Sequence, residues 1–282
     1  MPRTRPTDVG QPPAAPKTRD GGLLRFLLLL VLAAWAFRSF IAAPFYIPSG
    51  SMLPSLSIGD YLVVAKWPYG YSRYSFPFTF PPFNGRINSH MPHRGDVAVF
   101  RAPGTDSDFI KRVIGLPGDT IAVQSGMLVL NGHPLPRQEL SPLAMPISPN
   151  SPCKVVPPAT PMVTRVNGRL YCLYPAYRET LPGEPSYAVL DQVDNPRADD
   201  FPAVTVPPGH VFMMGDNRDD SLDSRFSPAE GGVGFVPIEN LIGRAQVTFW
   251  STDGSASYVK PWTWFTALRG GRVGNGYTGV PE

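Results

Sequence analysis

Reactive sulfur and clustered charge are both scarce in this sequence. Only two cysteines occur, Cys153 and Cys172, and they do not form a C-x-x-C pair, which excludes the spacing of a zinc ribbon or a dithiol redox site. In an oxidising compartment they would close one disulfide, and two free thiols are the equally open alternative. Charged residues make up 17% of the chain, and its whole net charge of +3 sits at one end. Residues 1–25 carry Arg3, Arg5, Lys17, Arg19 and Arg25 against only Asp8 and Asp20. No cluster of Lys and Arg of the kind that grips a phosphate backbone is present, so no nucleic-acid partner is expected. Internal repeats and long amphipathic helical patterns are missing beyond residue 43, which argues against solenoids and helical bundles.

Proline, by contrast, is abundant: 35 of 282 residues, more than twice the usual ~5%. Proline removes a backbone donor inside helices and central strands, so long loops and irregular β structure are favoured. With 43% hydrophobic residues the chain can still bury a real core. Residues 1–22 read as a disordered cytoplasmic tail. Residues 23–43, interrupted only by Arg25, Arg38 and Ser39, have the ~20-residue length of a membrane-spanning helix. The basic flank predicts a cytoplasmic N-terminus and an exported remainder, 44–282. The same basic flank and apolar run match a cleaved secretory signal, but a serine motif only a few residues downstream favours a retained anchor.

Beyond the anchor, alternation and turn signals predict short strands at 61–65, 96–101, 108–114, 120–123 and 127–130, with hairpin turns at Ser125-Gly126 and Asn131-Gly132. Strand character recurs at 162–166, 170–173, 211–214 and 241–249. Residues 133–208 hold sixteen prolines and both cysteines and read as an accessory insertion. The aromatic stretch 258–268, with Trp262, Trp264 and Phe265, fits an interfacial segment and core packing equally well. The expected fold is mainly β: an N-terminal transmembrane helix, then an exported, largely antiparallel β catalytic domain with a Pro-rich β insertion.

Four segments carry chemistry or its scaffolding. In Ile47-Pro48-Ser49-Gly50-Ser51-Met52-Leu53-Pro54 a glycine between two serines permits a tight turn that leaves a hydroxyl and an amide free to face a carbonyl. In Asp108-Phe109-Ile110-Lys111-Arg112-Val113, read as a strand, Lys111 shares a face with Phe109 and Val113. Apolar neighbours disfavour its ammonium, and a lysine brought toward neutrality can deprotonate a serine. Arg112 cannot serve as a base. The segment Gly215-Asp216-Asn217-Arg218-Asp219-Asp220-Ser221-Leu222-Asp223-Ser224-Arg225 is dense in charge but lacks EF-hand spacing, so no metal is expected. It suits a supporting role, with Ser221 orienting an amine and Asp223 with Arg225 bracing the loop. Gly59-Asp60 and Arg94-Gly95-Asp96 read as turns that introduce buried strands.

In this order, with Gly115-x-Pro117-Gly118-Asp119 and Gly234-Phe235-Val236-Pro237, the segments resemble the bacterial type I signal peptidases, or leader peptidases. The resemblance spans residues 45–237 and implies a Ser51 nucleophile and a Lys111 general base, with Ser49 and the Ser51 amide as oxyanion donors. Ser221, Asp223 and Arg225 would support them. By position, Ile47, Pro48, Met52, Leu56, Phe109 and Ile110 would line small-residue pockets. It further implies a cofactor-free serine endopeptidase of the bacterial cytoplasmic membrane that cuts exported preproteins after Ala-X-Ala. Its partners would be those preproteins, the lipid bilayer and the protein-export translocon.

The four histidines, His90, His93, His133 and His210, lie outside these motifs, so a histidine triad is not expected. A self-cleaving Ser/Lys protease of the LexA-like type is opposed by the anchor. A tethered, non-catalytic binding protein is opposed by the presence of both Ser51 and Lys111.

Overall fold

The computed structural model describes residues 20–257 and 259–277; most of the expected N-terminal tail and Tyr258 lie outside them. The first element follows from composition. Between Gly22 and Ile41 the mean hydropathy is 1.9, leucines abound and proline is absent, so helix propagates without a break. The helix Asp20–Ala36 continues as the π-turn Phe37–Ile41. Leu23 to Leu32 are exposed around its circumference, as in a helix built to face lipid. The helical stretch ends at Ile41, two residues before the expected 43, because Pro44 cannot continue a helix and forces its predecessor into extended backbone. Ala42 and Ala43 already pair with Ala65 and Val64.

The main sheet, termed the catalytic sheet for the serine and lysine motifs it carries, has seven strands in the order Ala42–Tyr46, Asp60–Ala65, Leu241–Ser251, Val97–Arg101, Asp108–Gly115, His210–Met214, Val236–Pro237. Every pairing is antiparallel. Register shifts in the long strand Leu241–Ser251, between Ala245 and Val247 and between Thr248 and Trp250, add local twist and let the sheet curl. The late strand Leu241–Ser251 thus lies mid-sheet, between Asp60–Ala65 and Val97–Arg101 from the first half of the chain.

The Pro-rich insertion is better ordered than its composition predicts. Arg137–Pro146, Met162–Val166 and Tyr187–Leu190 all pair with the central strand Arg169–Glu179, directly or as edges. Arg137–Pro146 was not foreseen, since Pro142 interrupts its alternation. The proline falls at the register shift between Leu140 and Leu143, on an edge strand where no donor is missed. Cys153 and Cys172 form a disulfide, which settles the choice left open by sequence. A further sheet joins Phe201–Thr205 to the hairpin Thr120–Gln124 and Met127–Leu130. Its turn residues Ser125, Gly126, Asn131 and Gly132 all adopt positive φ, as the hairpin signal requires.

One core cluster fastens the insertion to the serine motif. Leu53 packs with Cys172, Tyr174, Ala176 and Leu190. On its other side, Met52 and Leu56 join Ile47, Leu62, Val64 and Val99 beneath the catalytic sheet. Each such buried side chain contributes roughly 1.5–3 kcal/mol, so the motif is held from both sides.

Candidate active site

Ser51 lies in the 47–59 connection between the first two strands of the catalytic sheet. Its base is closed by Ile47 N–H donating to Asp60 O (2.9 Å) and Gly59 N–H to Ile47 O (2.9 Å). The carboxylate of Asp60 locks the same base, accepting from Ser251 Oγ at 2.7 Å and from Arg272 at 2.7 Å. Lys111 projects from the strand Asp108–Gly115, and its Nζ donates to Ser51 Oγ at 2.6 Å. The two are 60 residues apart in sequence.

Lys111 is 3% exposed. Burial brings its ammonium down to about 8, against the upward pull of Asp223, Asp216 and Asp220. The Phe109 ring, 5.8 Å from Nζ, supplies part of the apolar surroundings. Ser51 and Lys111 open on a cleft of about 630 Å³. Ser49, Ile47, Pro48, Phe109, Ile110 and Ser221 line it too. Met52 and Leu56, expected as pocket residues, are fully buried. They pack behind Ile47 and Ile110 in the core, because the turn after Ser51 directs them under the sheet. None of the histidines lines the cleft.

The loop 215–225 braces the dyad through buried ion pairs. Asn217 N–H donates to Ser51 O at 3.1 Å and its side-chain amide to Gly50 O at 3.1 Å. Arg112 grips Asp216 with two bonds of 2.8 and 2.7 Å, and Ser55 Oγ donates to the same carboxylate at 2.5 Å. Arg218 pairs with Glu179 of the insertion at 2.8 and 2.6 Å. Arg225 pairs with Asp223 at 2.9 Å twice, and Gly215 N–H adds a third bond to that carboxylate. Burial alone would raise Asp223, but Arg225, the Gly215 amide and the Ser221 hydroxyl together outweigh it and hold the carboxyl below its ordinary range.

Asp223 and Arg225 thus form a buried ion pair within the loop. Among the described residues Ser221 Oγ makes no bond to the Lys111 amine; the group that feels its hydroxyl is the Asp223 carboxylate. The hydroxyl instead presses on Gly215, where a Cβ would come within 2.3 Å of Ser221 Oγ and 2.5 Å of Ser51 O. Only a glycine lets the loop approach both groups so closely. Sequence reasoning missed Asn217 as the tether of Ser51, although it stands inside the polar motif. It could not have found Glu179, which lies in the insertion 39 residues before its partner.

A model of the family described as signal peptidase, peptidase S26, matches residues 21–250. The chain belongs to this signal peptidase family. It is 34% identical to signal peptidase I of Rickettsia typhi over 253 residues, covering 83% of this chain and 85% of the relative. With that of Rickettsia conorii it shares 35% over 264 residues, 86% and 88% of the two chains. A solved signal peptidase I from Enterococcus faecalis is similar at 23% identity over 55% of this chain and 97% of that chain, with a TM-score of 0.28. Family membership makes the protein a peptidase, and the apolar helix at its N-terminal side fits membrane anchoring.

Proposed function

We propose that this peptidase is a membrane-bound serine endopeptidase that removes signal peptides from exported preproteins after small residues in an Ala-X-Ala pattern. The observation that carries the mechanism is the 2.6 Å contact between Lys111 Nζ and Ser51 Oγ at a buried lysine. Family membership supports the substrate class.

Neutral Lys111 takes the Ser51 hydroxyl proton as Oγ attacks the scissile carbonyl. The oxyanion is held by the Ser51 N–H and by the hydroxyl of Ser49, which faces the same cleft. The new ammonium returns the proton to the departing amine, the N-terminus of the mature protein. Lys111, neutral again, accepts a proton from the water that attacks the acyl-enzyme, and Ser51 Oγ recovers it as the signal peptide leaves. No cofactor or metal enters these steps. Ile47, Pro48, Phe109 and Ile110 would shape the wall that accepts small side chains, with Met52 and Leu56 setting its depth from behind.

In this reading the N-terminus lies in the cytoplasm and the catalytic domain on the outer face of the cytoplasmic membrane. The preprotein would then arrive from the translocon within reach of the cleft. The deciding experiment is cleavage of a preprotein with alanine at −1 and −3 by the detergent-solubilised enzyme and its Ser51→Ala and Lys111→Ala variants. A single mature-length product, lost in both variants, is expected. Cleavage that persists in either variant would move the nucleophile or base elsewhere.

A further inference from the structure

A second hollow, of about 420 Å³, lies where the N-terminal helix meets the catalytic sheet. It shares Phe45 and Asp108 with the cleft but is a different chemical environment. Three cations face it: Arg38 from the end of the helical segment, Lys66 from the turn after the strand Asp60–Ala65, and Arg101. The two acids in its wall are both taken, since Arg101 Nε donates to Asp108 at 2.8 Å and its Nη1 to Asp106 at 3.4 Å. Arg38 and Lys66 are left over. Among the described residues neither has a side-chain hydrogen bond or an ion pair.

For Lys66 that isolation is costly, because it is only 4% exposed. A buried ammonium without an anion is among the least tolerated groups in a protein. Its compensations are the Phe45 ring, 5.8 Å away, and the attraction of Asp108, with which it makes no ion pair. Burial, with Arg38 nearby, lowers Lys66 to about 7. Two unpaired cations lining one hollow describe a receptor for an anion with several acceptor oxygens.

The position of the hollow indicates which anion. Lys66 N–H donates to Ile41 O at 3.0 Å, so the pocket begins where the apolar span Gly22–Ile41 ends. An aromatic cluster fixes that junction. Trp35 stacks on Phe76 at 6.3 Å, Phe40 meets Phe76 at 5.3 Å and Tyr71 at 5.4 Å, and Tyr71 OH donates to Phe40 O at 2.9 Å. On the pocket's rim Phe78 is 97% exposed. An aromatic rim beside basic groups at the end of a span lies at the depth of lipid headgroups.

We propose that Arg38 and Lys66 bind the phosphate of a membrane lipid headgroup. This rests on the reading of the helix as an anchor. The phosphate would sit between the two cations, with its acyl chains running down past Phe76 and Phe78 along the helix. Bound lipid would neutralise Lys66 and fix the catalytic domain's tilt over the bilayer.

The test titrates the full chain, in dodecyl maltoside, with dihexanoyl phosphatidylglycerol below its micelle concentration and separately with inorganic phosphate, following heat. Lys66→Met and Arg38→Gln are compared with the wild type, and preprotein cleavage in lipid-free detergent is measured alongside. Saturable binding of one lipid per chain is expected, weakened about tenfold or more by each substitution, the loss of one charge-assisted contact. Cleavage in lipid-free detergent should stay within about twofold. Should Lys66→Met melt early, Lys66→Arg keeps the charge and should restore binding.

Unsaturable uptake, or binding indifferent to both substitutions, would overturn the site. Binding of phosphate without lipid would overturn its assignment to a headgroup. A raised KM for preprotein in Lys66→Met, with lipid binding unchanged, would assign the hollow to the substrate peptide instead. Failure of the wild type to cleave preprotein would count against the proposed function and leave the lipid titration readable.

Discussion

Lys66 and Lys111 are buried to nearly the same degree, 4% and 3% exposed, and both are brought far below an ordinary lysine. Their neighbours differ. Lys111 has a hydroxyl at 2.6 Å and feels three carboxylates, Asp223, Asp216 and Asp220. Lys66 feels Arg38 and Arg86 against the single carboxylate Asp108, and it has no side-chain hydrogen bond among the described residues. Burial by itself therefore makes a lysine costly, and the groups facing it decide what the cost serves. In the proposed mechanism the neutral amine against a serine is a base, and in the proposed lipid site the cation without an ion pair awaits an anion.

The sharpest way to break the comparison is to remove each amine in turn. Lys111→Met should lower kcat/KM on a preprotein by about 10³-fold or more, the scale of losing a catalytic base, while Lys66→Met stays within about twofold in detergent. Equal losses would show that the two lysines are not distinct in role. Next in size are the buried ion pairs of the loop beside Lys111. Arg218→Ala leaves Glu179 charged and buried, and should cost about 3 kcal/mol or more in denaturant unfolding. An unfolding midpoint unchanged by Arg218→Ala would mean that the insertion is not coupled to the catalytic loop through this pair.

The stability signs should also agree with the burial. Below pH 8 Lys111 is charged in both folded and unfolded chains, and the folded state bears the whole desolvation cost. From about 8 toward the ordinary 10.5 the unfolded chain holds the proton more tightly, so stability climbs with pH over that window. Lys111→Met should thus stabilise the protein by about 2 kcal/mol at pH 6, with the gain shrinking toward pH 10. Lys66→Met should behave alike, with its window opening near pH 7. A loss of stability at pH 6 in either variant would refute the desolvation account.

Activity offers a finer distinction. With Lys111 as base, kcat/KM should rise about tenfold per pH unit up to about 8 and then level. Lys66→Met should not shift that profile. The smallest effect belongs to Ser221, whose hydroxyl makes no bond to the Lys111 amine among the described residues: Ser221→Ala should reduce cleavage by no more than about threefold. A loss beyond a hundredfold would mean that Ser221 bonds the amine once substrate is present.

Much of this site was legible because its motifs are short and their residue types restrictive. A glycine between two serines, a lysine among apolar strand neighbours and a run of alternating acids and bases each allow few local explanations. The strands were found wherever alternation was clean, as at Asp108–Gly115, and missed where proline masked it, as at Arg137–Pro146. Pocket residues were judged by nearness to Ser51 in sequence, which placed Met52 and Leu56 in a wall they only support. A turn of backbone reverses side-chain direction within one or two residues, and no periodicity records that.

The sequence by itself determined that this chain carries one apolar span, a β-rich body and a Ser/Lys pair in signal-peptidase order, because composition, alternation and turn chemistry act over neighbouring residues. The tertiary structure decided what touches what. It brought Lys111 to Ser51 across 60 residues and Arg218 to Glu179 across 39. It also closed Cys153 on Cys172 and left Lys66 beside Arg38 with no ion pair among the described residues. Those outcomes depend on desolvation and geometry between distant segments, which exist only once the sheet has curled and the insertion has packed against the catalytic loop.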